Sequence, residues 1–218
     1  RDIVVVDKAP GLLTIGTDRQ KTETAYCRLT DYVRKGNSKS RERVYIVHRL
    51  DREVSGILLF AKSPDAKETL QAHWTEFEKH YLALVHGQPR DPEGLFSSYL
   101  VESGVHKVHS TTNTQRGKLA RTAYRVVTSS HSVSILDINL LTGRKHQIRV
   151  HLAENNLPIV GDKKYGSRTD GARRLALHAK SLAFKHPYNS RPCFFETATP
   201  PFLQRFIQAG QSKTVTDQ

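Results

Sequence analysis

The chain has 218 residues, of which 37% are hydrophobic and 25% are charged, a length and composition that suit one substantial globular domain. It has no apolar run near the roughly 20 residues of a transmembrane helix, and its first residues lack the pattern of a secretory signal. Lys and Arg number 34 against 21 Asp and Glu, and the net charge of +13 favours a polyanionic partner. We expect nucleic acid, although an anionic membrane surface would suit the same charge.

The first part of the chain is predicted to contain three strands and two helices. Residues 3–6 are predicted as a buried strand, and residues 22–35 as a helix, because apolar residues recur on one helical face and Gly36 follows. Two more short strands are expected, at residues 44–47 and 56–61. A second helix is predicted to begin at Ser63-Pro64, a capping residue followed by Pro in the first turn, and to end near Glu78.

The rest of the chain is predicted to be richer in strands. Strands are expected at residues 81–85, 124–128 and 133–140, the last two as a pair. Residues 148–154 fit either a short helix or a continuing strand. A last helix is predicted from an apolar stripe after Pro200-Pro201, with Gly210 as its end.

These elements predict an α+β fold with a mixed, mainly antiparallel sheet and flanking helices, because most links are too short for crossover helices. No repeat or linker divides the sequence. We therefore expect one catalytic domain over residues 1–210 and a polar, disordered tail over residues 211–218.

The cysteine content indicates a reducing compartment. Cys27 and Cys193 are far apart and lie in no metal-binding spacing. A disulfide-stabilised fold of this size would need more cysteines, so we expect free thiols and a cytoplasmic protein. The sequence contains no Met, even at its first position, which suggests that it is part of a longer gene product.

Three polar segments are candidates for a functional site. In the loop between the strands 44–47 and 56–61, Asp51 is flanked by Arg49 and Arg52, which favours an ionised carboxylate, although charged surface turns are also common. Tyr81 lies in the next strand, where core packing is the ordinary explanation for an aromatic residue. Residues 141–152 open on a Thr-Gly turn and carry several basic residues, a pattern that suits phosphate binding.

The same segments resemble the motifs of the RluA family of pseudouridine synthases. Residues 48–62 match the family pattern His-Arg-Leu-Asp, two variable residues, Thr-Ser-Gly and an apolar strand ending in Ala-Lys, except that Val54 replaces the usual Thr. Residues 79–87 match Lys-x-Tyr-Leu-Ala-Leu-Val-x-Gly. Residues 142–151 match Thr-Gly-Arg-x-His-Gln-Ile-Arg-x-His, and the segments 158–162 and 165–166 also fit the family.

The resemblance implies an enzyme that isomerises uridine to pseudouridine in structured ribosomal or transfer RNA without a cofactor or a metal. It implies that Asp51 is the catalytic residue, that Tyr81 is the active-site tyrosine and that Arg149 pairs with Asp51. Such an enzyme must extrude the target nucleotide, and Arg49 is a candidate to fill the gap because it is planar and cationic. Leu50 and Ile148 are expected to line the pocket.

Basic residues near these segments are expected to contact RNA phosphates. The candidates within and after the third segment are Arg144, Lys145, His146, Lys163 and Lys164. Two longer basic runs, over residues 34–43 and 163–174, would extend the same surface. The alternative for each run is a solvated loop.

Two other functions compete with the enzyme. A non-catalytic, ribosome-associated RNA-binding protein would suit the charge, but it would have no use for a carboxylate that faces RNA phosphates. A metal-dependent nuclease would require clustered acidic ligands, which the sequence lacks. We therefore expect RNA as the partner of a monomeric protein, with no membrane association.

Overall fold

The computed structural model describes residues 2–18, 20–104, 107–166 and 170–214, with side chains as far as residue 208. Its contacts divide the chain into two compact units. Unit 1 comprises Arg1–Phe77 and Ser181–Thr197, and unit 2 comprises Glu78–Lys180 and Ala198–Gln218. The single catalytic domain over residues 1–210 stays a prediction.

Unit 1 is built around one fully buried strand. Its strands are β1 (Ile3–Lys8), β2 (Tyr45–Ile46), β3 (Ser55–Ala61), the second part of β9 (Leu177–Lys185) and β10 (Pro192–Glu196). β3 pairs antiparallel with both β1 and β2, and β10 pairs antiparallel with β9. Every residue of β3 is buried, which explains its continuous apolar sequence in place of alternation.

Both helices of unit 1 begin after a side-chain cap, but the predicted start of the first helix at residue 22 is wrong, because this helix begins at Ala25. In α1 (Ala25–Arg34), the Thr24 side chain accepts a hydrogen bond from the Cys27 N–H. In α2 (Pro64–Ala72), Ser63 accepts one from Ala66. The expected extension of α2 to Glu78 is wrong, because the chain leaves the helix at His73 and continues as a 3-10 turn.

Aromatic packing explains the early end of α2. The Trp74 ring stacks on His48 with ring centroids 4.5 Å apart and also contacts Phe77. Phe77 in turn stacks on Phe184 at 4.9 Å, within the cluster that forms the core of this unit. The rings of Trp74 and Phe77 thus pack into this core at the point where the helix ends, and tertiary packing overrides helical propensity here.

Unit 2 contains an antiparallel sheet. Its strands are β4 (Glu78–His86), β5 (Glu93–Ser103), β6 (Lys107–Thr111), β7 (Lys118–Ser129) and β8 (Val133–Leu140), in the order β4-β8-β7-β5-β6. The predicted pairing of β7 with β8 is confirmed. The sequence did not predict β5, β6, β9 or β10. Tyr81 lies opposite Ile138, which lies opposite Tyr124, so the three side chains share one face of the sheet.

Two helices belong to unit 2. Residues 148–154, for which the sequence left helix and strand open, lie in α3 (Gln147–Glu154). The last helix, α4 (Pro201–Thr214), continues past Gly210, so the predicted helix end is wrong. The first four residues of the predicted tail are therefore helical, and residues 215–218 lie outside the described residues. Within the described part of the chain, no helix is both long and apolar enough to cross a membrane.

The segment after α3 is inserted between main-chain groups of unit 2. Val160 N–H donates to Leu84 O at 2.9 Å, and Ala176 N–H donates to Val160 O at 2.9 Å. Gly161 follows with φ +77°, and a Cβ built on it would lie 2.0 Å from Arg174 O. This contact leaves no room for a side chain at residue 161, which directly precedes Asp162.

We predict that Gly161→Ala lowers the free energy of unfolding by about 1–3 kcal/mol more than Gly171→Ala does. Both glycines have positive φ, so both substitutions carry the left-handed strain, but a Cβ on Gly171 meets nothing within 4 Å. The difference therefore measures the steric overlap with Arg174. Denaturant unfolding of the two variants is the measurement, and equal losses would show that the main chain at residue 161 is not confined.

Candidate active site

In unit 1, the loop between β2 and β3 carries Asp51, and its main chain is bound to the segment after β1. The Lys8 side chain is 2% exposed, and its Nζ donates to Ala9 O (3.0 Å), Leu12 O (2.8 Å) and Arg52 O (3.1 Å). Gly11 N–H donates to the same Arg52 carbonyl at 2.8 Å. The peptide group between Arg52 and Glu53, one residue after Asp51, is thus fixed by a buried cation and by a main-chain donor.

Two further contacts define the start of this loop. Thr14 Oγ1 accepts from Leu50 N–H at 3.2 Å and donates to Leu50 O at 3.0 Å, so one hydroxyl satisfies both main-chain groups. His48 Nε2 accepts from Leu59 N–H at 3.0 Å. In a neutral ring this places the proton of His48 on Nδ1. The His of the first motif therefore binds β3 and the indole ring of Trp74.

The side chains of the loop differ sharply in exposure. Leu50 and Val54 are buried, Asp51 is half-buried, and Arg49 is exposed. Val54, which departs from the family pattern, packs in the interior of unit 1, and its N–H donates to Asp51 O at 3.2 Å. The turn thus closes through the main chain, without a hydroxyl at residue 54.

Lys8 is also the principal electrostatic feature of this loop. Burial lowers the pKa of Lys8 to about 8, while the nearby carboxylates of Glu53 and Asp51 act in the opposite direction. The same carboxylates stabilise the positive charge of the Lys8 ammonium group, which donates to Arg52 O. The sequence patterns did not identify Lys8. Its position at the end of a mostly apolar strand is the feature that could have indicated its role.

In unit 2, Tyr81 lies in the middle of a mostly buried strand and is itself buried. Lys79 is two residues earlier on β4 and therefore on the same face as Tyr81. Burial lowers the pKa of Lys79 to about 8. A second buried lysine thus lies close in the chain to a residue that the family resemblance assigns to the site.

The start of α3 is fixed by the buried amide of Gln147. Its Oε1 accepts from Thr142 Oγ1 at 2.7 Å and from Arg144 N–H at 3.0 Å. Its Nε2 donates to Arg121 O and to Thr122 Oγ1, both at 2.9 Å. The Thr and Gln of the third motif thus attach the helix to β7.

A second polar residue fixes the helix one turn later. The buried His151 ring bonds Thr122 Oγ1 through Nδ1 at 2.9 Å and Ser98 Oγ through Nε2 at 3.0 Å. Burial lowers the pKa of His151, and the charge of Glu154 opposes that shift. The neutral ring therefore links α3 to both β7 and β5.

A buried ion pair in unit 2 joins Arg149 and Asp162. Arg149 Nε donates to Asp162 Oδ2 and Nη2 donates to Oδ1, both at 2.8 Å, with side chains only 8% and 1% exposed. Asp162 Oδ1 also accepts from Lys164 N–H (2.9 Å) and Tyr165 N–H (3.0 Å). Burial raises the pKa of Asp162, but the hydrogen bonds and charge of Arg149 and the two N–H groups outweigh it, so this pKa lies below the ordinary range.

The sequence placed Asp162 in a segment that fits the family but assigned it no role. Arg149 was expected to pair with Asp51, and the structure adds Asp162 as a partner in unit 2. The association of Asp51 with Tyr81 and Arg149 joins residues of two units and stays a prediction. Ile148, the expected pocket residue, is buried.

The basic residues around α3 are not equivalent. Arg144 is exposed and donates from Nε to Leu119 O at 3.1 Å, whereas Lys145 forms an ion pair with Glu102. His146 Nδ1 lies 2.7 Å from Tyr165 Oη. Lys163 and Lys164 are both exposed, and Lys164 Nζ lies 5.9 Å from the centre of the Tyr165 ring. Their binding of RNA stays a prediction.

Most basic residues of the two runs are exposed where they are described, and Arg34 is half-buried. Arg34 donates from Nε to Glu42 O, and the Arg43 guanidinium lies 5.0 Å from the Tyr45 ring centre. Arg168, in the second run, lies outside the described residues.

The described residues contain no group of three or more His, Cys, Asp and Glu side chains that could hold a metal ion.

Comparison with known proteins identifies the class. The family described as RNA pseudouridylate synthase matches residues 2–154, and the chain belongs to this family. Ribosomal large subunit pseudouridine synthase D of Nitrosomonas europaea is 37% identical over 180 residues, covering 77% of this chain and 51% of that protein. Ribosomal large subunit pseudouridine synthase C of Vibrio vulnificus is 32% identical over 173 residues, covering 75% and 54%. The chain spans about half the length of these curated relatives.

Solved structures agree with this assignment. Human RNA pseudouridylate synthase domain containing 1 matches with a TM-score of 0.72 at 25% identity, covering 97% of this chain and 91% of that chain. Human RNA pseudouridylate synthase domain containing 4 matches with a TM-score of 0.76 at 23% identity, covering 95% of this chain and 89% of that chain, and so shows the same fold. The predicted α+β fold with a mixed, mainly antiparallel sheet and the resemblance to pseudouridine synthases are confirmed.

We predict that Asp162→Asn lowers the free energy of unfolding at neutral pH by about 3–5 kcal/mol, because it leaves the Arg149 cation buried without its anion. The control is Asp137→Asn, whose carboxylate is 24% exposed beside His80 and Arg125. Each ion pair of Asp137, with His80 and with Arg125, contributes about 1 kcal/mol or less to the free energy of unfolding. Denaturant unfolding is the measurement. Equal losses of unfolding free energy in Asp162→Asn and Asp137→Asn would show that the Arg149–Asp162 pair is not buried in solution.

The effect of Asp162 should depend on pH. Its pKa is lower in the folded protein than in the unfolded chain, so its contribution is complete above the unfolded value and is lost as pH falls through the folded value. The difference between the wild type and Asp162→Asn should therefore narrow in acid.

We predict that Lys8→Met reduces the rise of unfolding free energy between pH 8 and 10.5. The folded protein releases the Lys8 proton at about 8 and the unfolded chain at 10.5, so the unfolded state binds more protons between these values. Stability due to Lys8 therefore rises with pH there, by at most about 1.4 kcal/mol per unit. The control is Lys62→Met, because the Lys62 side chain is exposed. If the unfolding free energy of wild type and Lys8→Met changed equally with pH, the burial of the Lys8 cation would be refuted.

Proposed function

We propose that this chain carries the catalytic part of a pseudouridine synthase that isomerises uridine to pseudouridine in structured RNA, with Asp51 as its catalytic residue. Family membership supports the reaction class. The observation that carries the assignment of Asp51 is the contrast within its loop. The main chain around Asp51 is fixed by Lys8, Gly11 and Thr14, while the Asp51 side chain keeps part of its surface exposed.

The chemistry of the reaction explains what such a site must supply. The bond between N1 of uracil and C1′ of ribose breaks, the base turns, and a bond forms between C5 and C1′. Every atom of the nucleotide is retained apart from exchange of the C5 proton, and no oxidation or hydrolysis takes place. A positioned carboxylate that acts as nucleophile or general base is therefore sufficient, and we propose no cofactor.

Fixing the main chain of the loop has a direct catalytic value. A carboxylate on a mobile turn would lose conformational freedom each time that it meets the substrate, whereas the bonds to Arg52 and Leu50 remove this cost during folding.

In this proposal Tyr81 and Arg149 complete the site. Tyr81 offers an aromatic ring against which uracil can stack. Arg149 provides a cation for the Asp51 carboxylate, and its guanidinium is already oriented by the two bonds to Asp162. Arg suits this role better than Lys, because its planar group can bind two carboxylates at different edges while staying charged when buried.

The proposed substrate is RNA in which the target uridine must leave its stack, at a cost of a few kcal/mol. Arg49 is exposed and is our candidate for filling the vacated space. Arg144, Lys145, His146, Lys163 and Lys164 are the proposed phosphate contacts. The relatives named above act on ribosomal large subunit RNA according to their names. We propose ribosomal RNA as the substrate here too, which agrees with the cytoplasmic location expected from the sequence.

We predict that Asp51→Asn abolishes tritium release from RNA labelled at C5 of uridine, because the amide is neither a nucleophile nor a base at neutral pH. The substitution is nearly isosteric, so the unfolding midpoint and RNA affinity should change little. Glu53→Gln is the matched control, since it removes the other carboxylate that acts on Lys8, and it should retain activity.

Wild-type release by Asp51→Asn would refute the assignment of Asp51. Wild-type enzyme that binds RNA without releasing tritium would instead support a non-catalytic RNA-binding protein. Repeating the wild-type assay with EDTA separates both outcomes from a metal-dependent activity.

A further inference from the structure

Tyr165 contacts two residues of the first turn of α3. Its ring centre lies 5.2 Å from the Arg149 guanidinium carbon, within the range of a cation–π interaction. Its hydroxyl oxygen lies 2.7 Å from His146 Nδ1, and the two rings meet edge to face at 70°. His146 and Arg149 are three positions apart and therefore share one side of the helix start, which Tyr165 covers.

His146 has a main-chain conformation that requires such support. Its φ of 54° and ψ of 15° lie in the left-handed region, which is uncommon for a residue with a side chain. It occupies the N-cap position of α3, yet its side chain forms no capping hydrogen bond. The ring bonds Tyr165 instead, so this contact helps to hold the strained residue from which α3 begins.

Tyr165 is itself fixed at both ends. Its hydroxyl oxygen accepts from Val108 N–H of β6 at 3.0 Å. Its main-chain N–H donates at 3.0 Å to Asp162 Oδ1, the oxygen that also accepts from Arg149 Nη2. The tyrosine therefore connects the strained helix start, a strand and the buried ion pair in one set of contacts.

These contacts constrain the direction of the Arg149 guanidinium. A guanidinium has five N–H groups, and two of them donate to Asp162. Asp162 fixes the plane of the group from one edge, and the Tyr165 ring limits its movement on the side that it contacts. These two contacts thereby restrain the direction of the three other N–H groups, on Nη1 and Nη2.

We propose that Tyr165 is a positioning residue for the reaction, which acts by holding Arg149 and the His146 helix start in the arrangement that binds the reacting nucleotide. This inference rests on the proposed function, because it takes Arg149 as part of the site. Tyr165 does not touch the substrate in this proposal. Its loss changes the rate of the chemical step through Arg149 and leaves most RNA contacts in place.

The test compares two substitutions at residue 165 under single-turnover conditions with saturating enzyme. Tyr165→Phe keeps the ring against Arg149 and removes the bonds to His146 and Val108, and Tyr165→Leu removes the ring as well. We expect the rate constant of tritium release to fall about tenfold for Phe and about a hundredfold for Leu, because misplacement of a site group by about 1 Å has effects of this size. The dissociation constant for RNA should stay within about twofold of wild type.

Tyr124→Phe is the matched control. It removes a tyrosine hydroxyl from the same unit, where Tyr124 Oη donates to Asp91 O at 3.5 Å, and it should leave the rate constant unchanged. Thermal unfolding of each variant identifies any loss of folded protein. A fall in the unfolding midpoint of Tyr165→Phe with a wild-type rate constant would overturn the proposal and leave Tyr165 a structural residue.

A second comparison tests whether Tyr165 acts through Arg149. In an Arg149→Lys background, Tyr165→Phe should change the residual rate constant by less than about twofold, because the group that it positions is absent. An undiminished effect in that background would overturn the proposal. Wild-type rates for both Asp51→Asn and Arg149→Lys would instead refute the proposed function. Loss of activity in those two variants with wild-type rates for both Tyr165 variants would refute only the positioning role.

Discussion

The buried ion pair between Arg149 and Asp162 is the constraint on which the candidate site of unit 2 depends. Removing two charges from water is costly, and only the paired geometry and the extra N–H donors of Lys164 and Tyr165 offset that cost. The chain meets this requirement by placing Asp162 directly after a glycine that has no room for a side chain. The pair therefore fixes both the start of α3 and the segment that follows it.

Many of the residues that define the family motifs bind the protein itself. Gln147 and His151 attach α3 to the sheet, and His48 binds β3. Each is a polar group whose hydrogen bonds compensate its burial, so substitution would leave buried main-chain or hydroxyl groups unsatisfied. The exposed members, such as Arg49 and Arg144, are the ones that can reach an RNA. Several motif residues of this chain are thus structural attachments.

The ion pair also changes how Arg149 should be studied. The family resemblance implies that Arg149 pairs with Asp51, and on that pairing alone a stability measurement on Arg149 would report on Asp51. Because Asp162 accepts two hydrogen bonds from Arg149, a stability measurement on Arg149 reports chiefly on Asp162. Rate constants are the better measure of coupling to Asp51, and they are the better measure of the proposed role of Tyr165 for the same reason.

Local patterns are sufficient to predict β1, β3 and the start of α2, because apolar runs and capping residues act within a few positions. The three motifs likewise indicate Asp51, Tyr81 and Arg149 as candidate site residues. The half-exposed strands β5, β6 and β10 escaped prediction, since their pairing partners decide their conformation and a polar face hides the pattern. Lys8 and Asp162 acquire their roles only when a carbonyl 44 residues away or a guanidinium 13 residues away is brought within bonding distance. The sequence by itself determined the class of chemistry, and the tertiary structure decided which buried charges hold its groups in place, because burial and pairing are properties of the folded chain.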